Sequence, residues 1–394
     1  MRAVGIIAEY NPFHLGHAAH LAQAREKSGA DAVVVVLSGC FTQRGEAALL
    51  SPRVRAEMAL HAGADAVLLL PACWAVRDAE HFALGGVSLL QRMGVEAVSF
   101  GVERDCLPLM EACAALLEAP DGALRDALHA RLSAGLPYPA ALAAACEARL
   151  PGAQALLSAP NNTLAVCYLR AIRRLNANIA AIPVQRSGAY HATALDADAP
   201  SAGALRGAIL RGAWGDARRA MPPKAFDILT REALAGRVHR PEALDQALTL
   251  RLRSLNADAW RTLPDLSEGI GDRLRAAAER HATRADILSA AKTRRYPAAR
   301  LSRLCAHALL GVTQETLDAA PLPPAALPLG LTETGRTLMS QARKNGLPVL
   351  GKAADFDLSA PWLQVERRAY DLWALGCGLP AGLLFTQGIA RLFD

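Results

Sequence analysis

The amino-acid sequence predicts an α/β fold: a doubly wound parallel sheet, then a helical region, then a small C-terminal unit. Three observations predict it. Short apolar runs rich in Val, Leu and Ala alternate with helical stretches through the first hundred residues. Strand signals fade after residue 215, and helices dominate to about residue 312. A Pro-rich stretch, residues 319–328, reads as a linker ahead of one more helix and strand. These divisions place domains at 1–215, 216–318 and 329–394.

The elements follow in order. Residues 4–8 form a short apolar run that opens the sheet, and Asn11-Pro12 stops it with a turn. A helix is expected over 15–27, a β-branched strand over 31–37, a helix over 53–62 and a strand over 65–71. A helix over 81–93 then leads to a strand over 95–101. Continuous apolar strands separated by helices imply a parallel sheet covered on both faces. Ligands of such sheets bind beyond the carboxyl ends of the strands. Residues 9–17, 38–46, 71–74 and 101–103 should therefore converge on one crevice. Residues 107–150 read as a helical insertion. Asn161-Asn162 precede a helix over 164–175, and a strand over 179–184 delivers Arg186 and Ser187 to the same crevice. The terminal unit should hold a helix over 333–344 and a strand over 348–350.

Composition narrows the class. The chain has 394 residues, 52% apolar and 20% charged, which is the profile of a folded protein with room for a large core. Its formal charge of +6 permits a polyanionic partner without establishing one. No apolar run approaches the length of a membrane span, and the N-terminus lacks a signal-peptide build, so the cytoplasm is the expected compartment. The eight cysteines include no Cys-x-x-Cys pair, which fits reduced core thiols better than a zinc site or a disulfide framework.

His14 and His17 sit where the first strand turns into the first helix, with Gly16 between them. Helix starts present unpaired N–H groups and a positive dipole end, glycine admits a ligand close to the backbone, and imidazoles donate to phosphate oxygens. Two other readings exist: an exposed pair of helix-start histidines, or metal binding by His14, His17 and His20. Zinc helices usually pair histidines four residues apart and need further ligands, and no cysteine lies nearby.

His14-Leu15-Gly16-His17 at the end of a first strand resembles the His-Ile-Gly-His motif of the nucleotidyltransferase superfamily. Together with Glu9-Tyr10-Asn11-Pro12-Phe13 it resembles, more narrowly, the opening of the tRNA(Met) cytidine acetate ligase family. Further matches are Ser38-Gly39, Phe41, Gln43-Arg44-Gly45-Glu46, Met58-Ala59-Leu60, Gly63, Asp65, Phe100-Gly101, Pro160-Asn161-Asn162 and Arg186-Ser187. Ser267-Glu268-Gly269, Lys292-Thr293, Arg295-Tyr296 and Gly346-Leu347-Pro348-Val349-Leu350 carry the resemblance through nearly the whole chain. The chain also departs from the pattern. Leu69-Leu70-Pro71 stands where the family has Glu-Leu-Pro, and Pro52 stands for a lysine. Cys40 and Ala47 replace an amide- or imidazole-type residue and a proline.

The resemblance implies a nucleotidyltransferase-type ATP site and a two-step reaction. Acetate attacks the α-phosphorus of ATP, giving acetyl-adenylate and pyrophosphate, and the exocyclic amine of a cytidine in elongator tRNA(Met) then takes the acetyl group. Mg²⁺ is expected to accompany ATP; no metal ligands are assigned, and the sequence leaves open whether protein residues or only the ATP phosphates hold it. His14 and His17 would be catalytic. Ile7, Asn11, Pro12, Phe13, Leu15, Gly16, His20, Gly101, Asn161, Asn162, Arg186 and Ser187 would bind ATP. Gln43, Arg44 and Ser201 are candidate contacts to acetate or phosphate, against bland readings as loop-stabilising residues and a helix cap. The basic stretch around Lys292, Arg294, Arg295 and Tyr296 would meet tRNA, the tyrosine stacking on a base; a solvated helix face is the alternative. Competing functions are an adenylyltransferase acting on a small phosphorylated metabolite, and a non-catalytic nucleotide-sensing RNA-binding protein. Oligomeric state has no signature in the sequence.

Overall fold

Seven strands form one mixed sheet in the order β5-β4-β1-β2-β3-β6-β7 in the computed structural model, which describes residues 1–186, 201–266, 269–294 and 296–392. The elements run β1 (Ala3–Ala8), α1 (Leu15–Ser28), β2 (Ala32–Ser38), α2 (Pro52–His61), β3 (Ala66–Leu70), α3 (Ala72–Ala75), α4 (Ala79–Arg92) and β4 (Ala97–Val102). Then follow α5 (Leu107–Glu118), α6 (Gly122–Ser133), α7 (Tyr138–Glu147), α8 (Ala153–Ser158), α9 (Pro160–Arg174), β5 (Ala180–Gln185) and α10 (Ala202–Leu210). Much later come β6 (Pro328–Thr332) and β7 (Ala390–Leu392).

The first five strands are parallel, as their unbroken apolar runs predict; every residue of β2 and β3 is buried. β1 lies between β2 and β4, so the strand order reverses there and a crevice opens beyond its carboxyl end. α4 presses directly on β1, since a Cβ on Gly86 would stand 2.6 Å from Ile7 Cδ1. The insertion α5–α8 packs onto α9, which in turn packs on α4 and β4.

The far edge of the sheet departs from a purely parallel design. β6 pairs antiparallel to β3, and β7 pairs parallel to β6. Residues 319–328 read as a linker because of their prolines, yet the chain passes from them straight into the sheet. Pro328, with no N–H to donate, is the first residue of β6 and sits beside a register shift between Val67 and Leu68. The strand expected over 348–350 is a single bridge from Val349 to Ala326.

Two cores result. The larger joins the sheet to the Pro361–Gly376 helix through Trp362 and Trp373. The smaller lies within the helical region around Leu252, Trp260, Leu274 and Leu301. Among the described residues no helix is long and apolar enough to cross a membrane.

Candidate active site

β1 ends at Ala8, and the turn that follows places His14 as the N-cap of α1, with extended backbone at φ −142° and ψ 173°. His14 Nδ1 accepts the Gly16 N–H at 3.1 Å, and His17 Nδ1 accepts the His14 N–H at 3.2 Å. The two histidines thus form a reciprocal capping box, a task usually given to Ser/Thr and Glu. Their rings stack with centroids 3.6 Å apart, and Tyr10 and Phe13 support His17 at 4.8 and 5.6 Å. Since each Nδ1 accepts a hydrogen bond, each neutral ring carries its proton on Nε2. His14 Nε2 is buried with no partner in the protein.

Charge reinforces this state. Burial, with the Arg186 guanidinium next, pushes His14 down to about 3. Burial, then His14, Arg186 and His20, holds His17 well below the usual imidazole value. His20, 3.0 Å from Ser99 Oγ, is lowered to about 4 by burial, Arg186 and Lys27. Three neutral imidazoles therefore line the crevice at pH 7, and two of them present N–H donors.

Arg186 follows β5, its N–H donating to Val102 O at 2.9 Å. Its stem crosses Gly101, where a Cβ would stand 3.1 Å from Arg186 Cγ and Cδ. Asn161 and Asn162 lie inside the first turn of α9, not ahead of it. Pro160 starts the helix early, and the Glu103 carboxylate caps it from the end of β4. Glu103 Oε1 accepts from Asn161 N and Nδ2 at 3.0 and 2.8 Å, and Oε2 accepts from Asn162 N at 2.9 Å. Asn162 Oδ1 accepts the Glu103 N–H in return at 3.0 Å.

The loop after β2 forms the other wall. Gln43 N donates to Glu9 Oε1 at 2.7 Å, and Gln43 Nε2 donates to Arg77 O at 2.9 Å. Gly45, at φ +74°, seats this loop on the Ala298–Leu310 helix; a Cβ there would stand 2.7 Å from Ser302 O. Ser302 Oγ donates to Arg44 O and accepts from Arg284. The helical region thus bears directly on the crevice loop. A cavity of about 290 Å³ lies at this junction, lined in part by Phe41, Glu46, Arg206, Leu248 and Arg284. Arg206, in its wall, donates to Asn11 O at 2.7 Å in the turn that precedes His14.

Other expected residues have structural tasks. Ser201 caps α10, its Oγ accepting from Ala204 N at 3.1 Å. Asn11 Oδ1 accepts the Leu49 N–H at 2.8 Å, Phe13 is fully buried and Leu15 is exposed. Ile7 is wedged against α4. Lys292 and Arg294 are exposed. Tyr296 is a correction: it is 7% exposed within the helical core, so its ring does not stand out to stack on a base. Ser187, Arg295, Ser267 and Glu268 lie outside the described residues.

Three residues near the crevice have no role in the motif reading, although Glu9 stands inside the opening motif. Glu9 is the first. Arg55 is fully buried and gathers the carbonyls of Glu9, Ser38, Gly39 and Leu50, which fixes the ends of β1 and β2. The third is a buried acid near position 69. Glu366, from the Pro361–Gly376 helix, accepts the Ala72 N–H at 2.6 Å, and a Cβ on Gly39 would stand 2.9 Å from its Oε1 and 3.2 Å from Leu69 Cδ1. A carboxyl thus reaches the place from a remote segment. No periodic signal marks it, since one acid in an amphipathic helix is ordinary.

A switch-point crevice with two capped, stacked histidines at the start of α1 defines a nucleotidyl transferase of the HIGH class, and the HIGH Nucleotidyl Transferase family model matches residues 1–378. The chain is 34% identical over 413 residues to the tRNA(Met) cytidine acetate ligase of Acetivibrio thermocellus, covering 99% of each. It superimposes on the crystal structure of apo Thermotoga maritima TmcAL with a TM-score of 0.95 and 28% identity, covering 100% of both chains. The same protein bound with alpha-thio ATP gives a TM-score of 0.91. The chain belongs to the tRNA(Met) cytidine acetate ligase family.

Proposed function

We propose that this protein acetylates a cytidine of elongator tRNA(Met), using ATP and acetate through acetyl-adenylate with release of pyrophosphate. The observation that carries the reading is the His14–His17 pair, whose tautomers are set by the capping of α1, which leaves Nε2 of each ring as its donor. Acetate does not acylate an amine unaided, because oxide would have to leave; adenylation provides the leaving group. Charge then builds on phosphate oxygens, and fixed donors at a helix start stabilise it without reorganisation.

In this reading Arg186, its stem resting on Gly101, holds a phosphate. Asn161, oriented by Glu103, meets the ribose or base. Gln43 and Arg44 border the acetate. Mg²⁺ rides on the ATP phosphates. Lys292 and Arg294 offer phosphate contacts to the tRNA, and the cytoplasm is where the reaction takes place.

The test is incubation with ATP, labelled acetate and elongator tRNA(Met), followed by nucleoside digestion. Labelled acetylcytidine and acetate-driven ATP–pyrophosphate exchange are expected. Absence of both removes the reading; exchange driven by a phosphorylated metabolite would favour an adenylyltransferase instead.

A further inference from the structure

Glu9 follows the last residue of β1. Its Oε1 is fixed by the Gln43 amide at 2.7 Å, while no hydrogen bond or ion pair from the described residues reaches its Oε2. The residue is half-buried at the lip of the crevice. Position matters here. Gly101 and Arg186 come from β4 and the end of β5, on one side of β1. The Glu9 carboxyl is tied to the loop beyond β2, whose Gln43 reaches on to Arg77 beyond α3. Glu9 thus stands at the carboxyl end of β1, between β4 and β2, where the crevice opens.

The second chemical step needs a base. The lone pair of a cytosine amine is drawn into its ring, so its attack on a carbonyl is productive only as a proton departs. The histidines do not supply that base, because each accepts at Nδ1 and carries its proton on Nε2. Both oxygens of Glu103 are spent on the start of α9, and Glu366 is sealed in the core.

We infer that Glu9 is a catalytic residue of the transfer step and takes the proton lost by the attacking amine. The inference rests on the acetate-ligase reading above. The amine nitrogen bonds to the acetyl carbon, and the carbonyl electrons move to oxygen. As they return, the bond from carbon to the adenylate oxygen breaks and AMP leaves with that electron pair. The N–H proton passes to Glu9 Oε2 and then to water. Atoms and charge balance with no further reactant.

Burial raises the Glu9 pKa, and the Gln43 amide, Arg206, Arg55 and Arg44 oppose that rise; Tyr168 of α9 is the other titratable group facing it. Transfer should accordingly lose rate as acid protonates Glu9, above the ordinary carboxylate value of about 4.3.

Glu9→Gln keeps the acceptor for the Gln43 amide and removes the base. Expected are acetate-dependent ATP–pyrophosphate exchange within about twofold of wild type and single-turnover transfer to tRNA slowed about a hundredfold or more. The acid limb of the transfer profile should vanish in Glu9→Gln and persist, at a lower rate, in Glu9→Asp. Exchange lost together with transfer, transfer unchanged, or an acid limb surviving in Glu9→Gln would each overturn the assignment. If wild type shows neither exchange with acetate nor label in tRNA, the ligase reading itself fails instead.

Discussion

The stem of Arg186 lies across Gly101, so that a Cβ added there would meet its Cγ and Cδ at 3.1 Å. The last strand of the parallel set thereby delivers a cation over the one before it, within reach of three imidazoles whose protonation it discourages. Glycine is needed for space, since its φ is not in the left-handed region. Gly101→Val should displace the arginine and weaken ATP binding about tenfold or more, the scale of one charged hydrogen bond. Calorimetric titration with a non-hydrolysable ATP analogue measures this, and the melting temperature should hardly change.

The histidine pair makes a second prediction. His17→Asn can still accept at the cap but lacks the imidazole donor. ATP–pyrophosphate exchange should fall about a hundredfold or more, as when an oxyanion donor is removed, while tRNA binding in a gel-shift assay survives. His17→Ala should lose, in addition, about 1 kcal/mol of stability with the cap.

Acid sensitivity follows from the same groups. His14, His20, His239 and His307 are lowered, chiefly by burial, to about 3, 4, 4 and 4. Below an unfolded value of about 6.5 the unfolded chain takes up protons that the folded one refuses, so folding stability drops as pH falls. Urea unfolding between pH 7 and 5 should show this slope, and His239→Gln together with His307→Gln should flatten it.

Glu366 has the opposite sign. Burial, opposed by its bond from Ala72 N, pushes its carboxyl up to about 7. The folded state holds this proton where the unfolded chain, at about 4.3, has lost it, so the contribution fades as pH rises through 7. Glu366→Gln keeps the acceptor for Ala72 and removes the buried charge. Its urea midpoint should match wild type at pH 5 and exceed it at pH 8.

The exposed cations of the helical region are the last test. Lys292→Ala with Arg294→Ala should weaken tRNA binding most at low salt and reduce the slope of log affinity against log salt by roughly 1 to 2. An unchanged slope would leave these residues as a solvated face.

Much of this was legible in the sequence because it is local. Apolar runs such as residues 31–37 admit one reading in an α/β frame, and His14-Leu15-Gly16-His17 announces its own turn. What escaped depends on long-range partners. Pro328 masked a strand that only the edge of β3 completes. Tyr296, among arginines, looked like a surface ring until the helices closed over it. Arg55 resembles any helix arginine until four carbonyls turn towards it. The buried carboxyl of Glu366 could not be placed from the sequence, because its partner Ala72 is 294 positions away in the chain.

That separation bears on synthesis. While the ribosome is still extending the chain, β3 waits with an open edge, and Gly39 and Ala72 wait without the carboxyl that abuts them. A nascent fragment stopped before β6 exposes a row of unpaired strand groups, the kind of template that invites aggregation or proteolysis. Translation errors would then yield material for quality control, and not half-built enzymes loose among the tRNAs on which translation depends.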